Sequence, residues 1–358
     1  MVDETRAALR LSVLDQSPVR EGQTPAEAIR ETLELAQAAD RLGYRRYWLA
    51  EHHSTPGLAG ASPEILIAEV ATRTRRIRVG SGGVMLTHYS PLKVAEQFRM
   101  LETLHPGRID LGIGRAPGGD GRTAVALRRR TAVPAGRLTP DPWAEDEVAR
   151  FPDQIADLIG FLTDGLPADH PFASVRAMPA GAGVPEIWLL GSTDSSAACA
   201  AHFGTAFSFA HFINSDGGAG VTRAYARAFR PSPQLSAAKA SAAVFAVCAD
   251  TEEEAARLSR SRDLFIVRLY TGRGGPYPSV EEAERYPYSS RELAIVQHAR
   301  QRTIAGSAEQ VRARLLALAS EYDVDELVVV TITHDPKARL RSYELLAQAF
   351  GLPGDLHE

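Results

Sequence analysis

Strand-like and helix-like segments alternate strictly along this chain, and that alternation limits its fold more than any other feature. Short apolar runs that end in polar residues are each followed by a longer segment with helical spacing of its apolar residues. Such alternation with short connections is typical of parallel βαβ units. The eight predicted strands begin near Leu11, Tyr47, Ile77, Ile109, Ile187, Thr205, Ala242 and Glu326.

Helix-start signals recur at the expected places. Thr24 precedes Pro25, with Glu27 three residues after the threonine, which is the pattern of a capped helix with proline at its first position. A serine followed by proline repeats this signature at Ser62 and Ser90. We therefore predict an α/β fold, a (β/α)8 TIM barrel that forms one domain over residues 1–358.

Two segments depart from the regular spacing. Residues 116–150 follow strand four and are rich in Gly, Arg, Thr and Pro, and residues 265–290 follow strand seven and contain a Gly-rich stretch. We predict an insertion at each place. An open doubly wound sheet is the alternative fold, but Gly112-Ile113-Gly114 has Pro117 at the third glycine position. No helical pattern follows directly, so a dinucleotide-binding loop is rejected.

The composition excludes several classes of partner. A net charge of -4 gives no whole-chain electrostatic reason to bind nucleic acid or a membrane, and no run approaches 18 apolar residues. The first ten residues lack the apolar core of a secretory signal. Cys199 and Cys248 lie in apolar contexts, far apart, which favours reduced core thiols. We therefore expect a cytoplasmic protein.

The segment Glu51-His52-His53 ends the second strand, where TIM barrels carry their active sites. A histidine that titrates near neutrality suits proton transfer, and strand alternation turns only one of the pair to the barrel mouth. A structural histidine remains the alternative. We expect no metal site, because no ligand spacing is present, and His211 is a second candidate with a structural role favoured. Ser-His-Asp hydrolysis has little support without a G-x-S-x-G motif.

Two further groups of residues indicate a phosphate site. Ser192, Thr193 and Ser196 lie where a helix begins after strand five, and free backbone N–H groups at such a start bind anions. Arg115 follows strand four and could pair with a phosphate. Helix capping and an ordinary surface arginine explain the same residues equally well. Within strand three, Gly82-Gly83 indicates either a kink or a close approach of ligand to backbone.

Four motifs, in order, resemble the bacterial luciferase-like flavin monooxygenases, and the opening segment resembles their non-luminescent branch. The similarity covers about residues 10 to 350. The motifs are YWLAEHH from Tyr47, GSGGVMLTHYSPLKVAEQ from Gly80, GRIDLGIGR from Gly107 and GSTDSSAACAAHFG from Gly191, and the opening segment is LSVLDQSPVREG from Leu11.

The resemblance implies a TIM barrel that binds FMN and uses reduced flavin and O2 to oxidise a small organic substrate. An NAD(P)H:flavin reductase would supply the reduced FMN, and the protein would form a homodimer through the second and third helices. The inferred catalytic residue is His52. The inferred cofactor-binding residues are Gly82, Gly83, Arg115, Ser192, Thr193 and Ser196.

The resemblance also implies a non-proline cis peptide at Gly82-Gly83, beneath the flavin ring, and a mobile lid near strand seven. Residues 265–290 differ from the luciferases, so light emission and long-chain aldehydes are not expected. Two alternatives stay open. One is hydride transfer with the deazaflavin F420 on the same fold, and the other is a non-catalytic flavin-binding protein. The substrate cannot be read from the sequence.

Overall fold

The apolar runs form parallel strands whose side chains alternate between a barrel interior and an outer layer of helices. The computed structural model describes residues 9–116, 118–128 and 144–354. Neighbouring strands pair in parallel around a ring, which the pairing of β8 with β10 closes. The (β/α)8 TIM barrel is therefore confirmed. The strands of the ring are β1 (Arg10–Asp15), β2 (Arg46–Leu49), β3 (Arg78–Ser81), its short continuation β4 (Val84–Met85), β5 (Ile109–Gly114), β6 (Glu186–Gly191), β7 (Ala206–Ala210), β8 (Ala240–Ala249) and β10 (Glu326–Val330).

Helices follow the strands and cover the outside of the barrel. None of those in the described residues is long and apolar enough to cross a lipid bilayer. They are α1 (Pro25–Leu42), α2 (Pro63–Arg73), α3 (Pro91–Leu104), α4 (Gly121–Arg128), α5 (Ala144–Thr163), α6 (Asp194–Phe203), α7 (Gly218–Ala228), α8 (Glu252–Tyr270), α9 (Val280–Arg285), α10 (Ser290–Arg300), α11 (Ala308–Tyr322) and α12 (Pro336–Phe350), with a 3-10 helix at Leu86–His88.

Both predicted insertions occur where the regular spacing is lost. The first contains α4, and residues 129–143 within it lie outside the described residues. The second begins later than the predicted residue 265, because α8 continues to Tyr270. An additional strand, β9 (Thr303–Ser307), was not predicted and pairs with the C-terminal half of β8. The single domain over residues 1–358 stays a prediction, since both ends extend beyond the described residues.

The helix-start signals were correct in place and only partly correct in detail. Thr24 forms the full capping box with Glu27. Ser62 and Ser90 stand at the N-cap positions of α2 and α3, but neither hydroxyl makes a capping hydrogen bond. The third strand was predicted to run through Gly82-Gly83 without a break, and this was wrong. It divides into β3 and β4 because the glycine pair interrupts its pairing.

A buried ion network fills the N-terminal end of the barrel. The Arg46 guanidinium is 0% exposed and lies 2.6 Å from Asp110 and 2.5 Å from Glu326. Its charge also lies over the rings of Trp48 and Trp188, at 5.7 and 4.8 Å from their centroids. Paired charges of this kind tolerate burial. The ion network closes the N-terminal end of the barrel, so an active site is expected at the C-terminal end.

Candidate active site

All the site residues predicted from the sequence lie at the C-terminal ends of the barrel strands. Because the strands are parallel, these ends form one mouth, as in other TIM barrels. Glu51 and His52 follow β2, Gly82 and Gly83 separate β3 from β4, Arg115 follows β5, and Ser192, Thr193 and Ser196 lie around the start of α6 after β6.

Glu51 organises one side of the mouth. Its carboxylate is buried at 1% exposure. Oε1 lies 2.7 Å from Nε2 of His53 and accepts a 2.7 Å hydrogen bond from the Tyr89 hydroxyl. Oε2 accepts a 2.9 Å hydrogen bond from the backbone N–H of Met85. One buried carboxylate therefore ties the end of β2 to the segment after β3.

Tyr89 remains a hydrogen-bond donor at every ordinary pH. Burial of its ring, followed by the hydrogen bond to Glu51 and the charge of that carboxylate, raises the pKa of Tyr89 well above its usual value. The phenol therefore stays protonated and continues to donate to Glu51. This bond holds the segment before α3 against the end of β2.

His52 differs from its neighbour His53, whose ring contacts the Glu51 carboxylate through Nε2. Nδ1 of His52 is buried and has no hydrogen-bond partner among the described residues. Burial, and then the charge of His53, lowers the pKa of His52 to about 4. Its backbone N–H donates to the Gly60 carbonyl at 2.8 Å, which fixes the chain on this side. The ring is therefore neutral at neutral pH and offers one unsatisfied polar atom.

The peptide bond between Gly82 and Gly83 is cis, as the resemblance implied. Both glycines are required by packing. A Cβ on Gly82 would lie 2.6 Å from Leu14 Cδ1, and one on Gly83 would lie 2.7 Å from Leu190 Cδ1. The two residues therefore place bare backbone against the barrel interior.

Arg115 and the start of α6 adjoin each other. β5 and β6 pair in register with Ile113 opposite Leu189, so Arg115 and the loop before α6 leave neighbouring strands. Burial raises the pKa of the Cys199 thiol on α6, and the charge of Arg115 opposes that rise. Among the described residues, no carboxylate pairs with Arg115.

The first turn of α6 has no side-chain cap. Thr193 occupies the N-cap position in an extended conformation, and its hydroxyl makes no capping hydrogen bond. Its Oγ1 lies 3.5 Å from the Ser196 hydroxyl, which is a weak contact. The backbone N–H groups that begin a helix lack intrahelical partners. The capping alternative is therefore not supported here, and these donors are available to an anion.

His211 packs against Tyr322, and its structural role stays a prediction. Its Nδ1 lies 2.8 Å from the Tyr322 hydroxyl, and the two rings meet edge to face. In the part of the chain that the structure describes, no group of three or more His, Cys, Asp or Glu residues could hold a metal ion.

Sequence reasoning missed the residues that surround Glu51 and His53. The His88 ring meets the His53 ring edge to face at 6.2 Å, and Nε of Arg128 donates to Nδ1 of His88 at 3.0 Å. Tyr89 and His88 follow β4, which was a usable signal, because polar side chains after a barrel strand point to the mouth. Arg128 lies in the first insertion, where no pattern indicated its partner.

Residues 9–324 match the sequence profile of the luciferase-like monooxygenase family. The uncharacterized Bacillus subtilis (strain 168) protein YwcH is 47% identical over 95% of this chain and 98% of its own length. The N-acetyl-S-alkylcysteine monooxygenase of the same organism is 39% identical over 95% of this chain and 98% of its own length.

Among solved structures, apo-MsnO8 has a TM-score of 0.84 and 39% identity, and the match covers 97% of this chain and 99% of that one. Two more distant structures share the fold alone. The oxygenating component of 3,6-diketocamphane monooxygenase from Pseudomonas putida, in complex with FMN, has a TM-score of 0.66 and 20% identity over 96% and 98% of the two chains. An F420-dependent secondary alcohol dehydrogenase has a TM-score of 0.68 and 11% identity over 96% and 99%.

Proposed function

Because the chain belongs to the luciferase-like monooxygenase family, we propose that it uses reduced FMN and O2 to oxidise a small organic substrate. The family supplies the reaction class. The observation that carries the choice of a phosphorylated flavin is the unpaired Arg115 beside the uncapped start of α6. A cation and free backbone N–H groups that converge at one end of a barrel suit a phosphate.

The residues present fit FMN at both ends of the molecule. Arg115 would hold the phosphate, with the hydroxyls of Ser192, Thr193 and Ser196 beside it. The bare backbone of Gly82-Gly83 would support the flat ring, because no side chain projects from it.

Reduced flavin supplies the electrons that activate O2, and the protein supplies binding, orientation and exclusion of water. His52 would exchange a proton through Nδ1, which has no hydrogen-bond partner within residues 9–116, 118–128 and 144–354. Since its pKa lies near 4, the ring is neutral when it meets substrate. Glu51 would position this side of the mouth through Tyr89, His53 and the Met85 backbone.

Thioethers are the first substrates to test. The relative named N-acetyl-S-alkylcysteine monooxygenase aligns over nearly the whole chain, and we therefore propose small organic thioethers as the substrate class. An NAD(P)H:flavin reductase would supply the reduced FMN. The protein would act in the cytoplasm.

A homodimer through α2 and α3 is proposed as the assembled form. Three large apolar side chains on these helices are exposed, at 67% for Ile65, 51% for Met100 and 60% for Leu104. Exposed apolar groups that cluster on adjacent helices favour a protein interface. Light scattering of the wild type and of Met100→Glu tests this, with a shift of the variant to monomer expected.

F420-dependent hydride transfer is the second candidate, and an F420-dependent dehydrogenase of the same fold supports keeping it. The test is to incubate the purified protein with FMN or F420, remove unbound cofactor and record absorbance spectra. Oxygen consumption is then followed with photoreduced FMN and a panel of thioethers. Substrate-dependent oxygen uptake and a sulfoxide product support the monooxygenase. Retention of F420 with no oxygen uptake supports the alternative, and retention of FMN without turnover supports a flavin-binding protein.

His52 is tested in the same assay. His52→Ala should leave FMN binding largely intact and raise the hydrogen peroxide released per O2 consumed. If product formation per O2 consumed is unchanged in His52→Ala, His52 has no part in the reaction.

A further inference from the structure

Two arginines are buried beside β8, and neither has a carboxylate partner in the part of the chain that the structure describes. Arg262 on α8 is 6% exposed and Arg302, just before β9, is 9% exposed. Arg262 donates to the Thr303 hydroxyl at 3.0 Å, and Arg302 donates to the Ile213 carbonyl. Nε of Arg302 is buried and has no hydrogen-bond partner, and across the described residues neither guanidinium forms an ion pair.

The Arg262 guanidinium lies at the rim of the barrel interior, and Arg302 directly precedes Thr303, to whose hydroxyl Arg262 donates. Phe245 belongs to the cluster of side chains that fills the interior, while its neighbours Val244 and Ala246 belong to the outer core. It pairs with Val330, the last residue of β10, so it lies at the C-terminal end of the barrel. The guanidinium carbon of Arg262 lies 4.0 Å from the centroid of the Phe245 ring.

Burial works against the charge of Arg262 and lowers its pKa. Tyr277 and Asp263 raise that pKa, and the charge of Arg302 lowers it by a smaller amount. Asp263 is the nearest acidic residue in sequence, but it bonds Arg300 at 2.6 Å. A buried charge is costly unless an opposite charge and hydrogen bonds accompany it. An anion that entered here would supply both.

We propose that Arg262 and Arg302 bind the carboxylate of an anionic organic substrate. The planar guanidinium matches a carboxylate in shape and in its paired hydrogen bonds. The stacked rings of Phe265 and Tyr277, with centroids 3.8 Å apart, belong with Phe245 to the apolar cluster and would contact the body of the molecule. The subsite rests on the proposed function, because it shares the barrel mouth with the proposed flavin site.

The subsite is separate from the proposed phosphate site. Arg115 and Thr193 belong to the ends of β5 and β6, whereas the buried arginines belong to α8 and the start of β9. One molecule could therefore bind by its carboxylate near β8 while flavin is held by its phosphate near β6.

The experiment compares acids with their neutral amides. N-acetyl-L-methionine, hexanoate and benzoate are each titrated calorimetrically against the corresponding primary amide, with and without saturating FMN. We expect at least one acid to bind the wild type ten times more tightly than its amide. Arg262→Gln and Arg302→Gln should each lose that preference, and Arg262→Lys should keep part of it. Arg260→Gln is the matched control, since this arginine of α8 is exposed and paired with Glu284.

Equal binding of every acid and its amide, or no binding of any, would overturn the subsite. A preference for the acid over the amide that survives in both Arg262→Gln and Arg302→Gln would also overturn the subsite. If a glutamine variant does not fold, the subsite is judged from the affinities of the wild type and of Arg262→Lys for each acid and its amide. FMN binding is measured separately, so a protein that binds FMN without preferring acids refutes only the subsite. One that prefers acids but ignores FMN refutes only the proposed function.

Discussion

The Tyr89 hydroxyl donates a 2.7 Å hydrogen bond to the buried carboxylate of Glu51, across 38 residues of sequence. The Glu51 oxygen that accepts this bond, Oε1, also lies 2.7 Å from Nε2 of His53. The three groups join the end of β2 to the segment after β4. His52, the residue between Glu51 and His53, is thereby held in place from both sides.

Removal of the Tyr89 hydroxyl should loosen this connection. Tyr89→Phe deletes one donor to a buried carboxylate, and the loss should be about 1 to 3 kcal/mol of unfolding free energy. Urea denaturation measures it. Tyr270→Phe is the control, because Tyr270 is 64% exposed and should change stability by less than about 0.5 kcal/mol. Equal effects of the two substitutions would show that the bond to Glu51 contributes no stability.

Acid should destabilise the protein through His52. Its pKa is about 4 when folded and about 6.5 in an unfolded chain. Between these values the unfolded chain binds a proton that the folded protein does not. The stabilisation is therefore present above pH 6.5 and is lost as the pH falls toward 4.

The contribution of His52 to this loss of stability is obtained by comparing the wild type with a variant that lacks the imidazole. Between pH 7 and pH 5, the wild type should lose about 1 to 2 kcal/mol more unfolding free energy than His52→Asn. His211, whose pKa is also lowered by burial, is present in both proteins and cancels. Parallel losses in the wild type and the variant would mean that His52 titrates normally when folded.

Gly83 should not accept a side chain. Gly83→Ala would place Cβ 2.7 Å from Leu190 Cδ1 and 2.8 Å from the Gly112 carbonyl, so backbone must shift, at about 1 to 3 kcal/mol. Gly114→Ala is the matched control, because the nearest atom to its Cβ would be Met85 Sδ at 3.8 Å. Thermal denaturation of both variants measures the difference. Similar melting temperatures would contradict the packing described for the glycine pair.

The sequence predicted the barrel because its repeating signal is local. Each apolar run and each cap lies within a few residues of the element that it specifies, as Thr24 and Glu27 do for α1. The cis bond at Gly82-Gly83 was implied by resemblance, not by any physical pattern. Strand β9 was missed because Thr303–Ser307 is short and contains Gly306, which weakens a strand signal.

Contacts between distant segments could not be predicted. Nothing in the spacing of residues indicates that Tyr89 reaches Glu51, because that contact depends on how β2 and β4 end in space. Arg262 gave one overlooked signal. It follows Leu258 by four residues and precedes Phe265 by three, so it lies on the buried stripe of α8. A charged residue on such a stripe is uncommon enough to flag a site.

The most direct test of the account is the affinity for FMN relative to riboflavin, measured by fluorescence quenching for the wild type and Arg115→Gln. Riboflavin has the same ring and no phosphate. We predict that the wild type binds FMN more tightly than riboflavin. The substitution should lower the affinity for FMN at least tenfold and change the affinity for riboflavin little. An equal loss of affinity for FMN and riboflavin in Arg115→Gln, or a wild type that binds neither, would contradict a phosphate held by Arg115 at the mouth of this barrel.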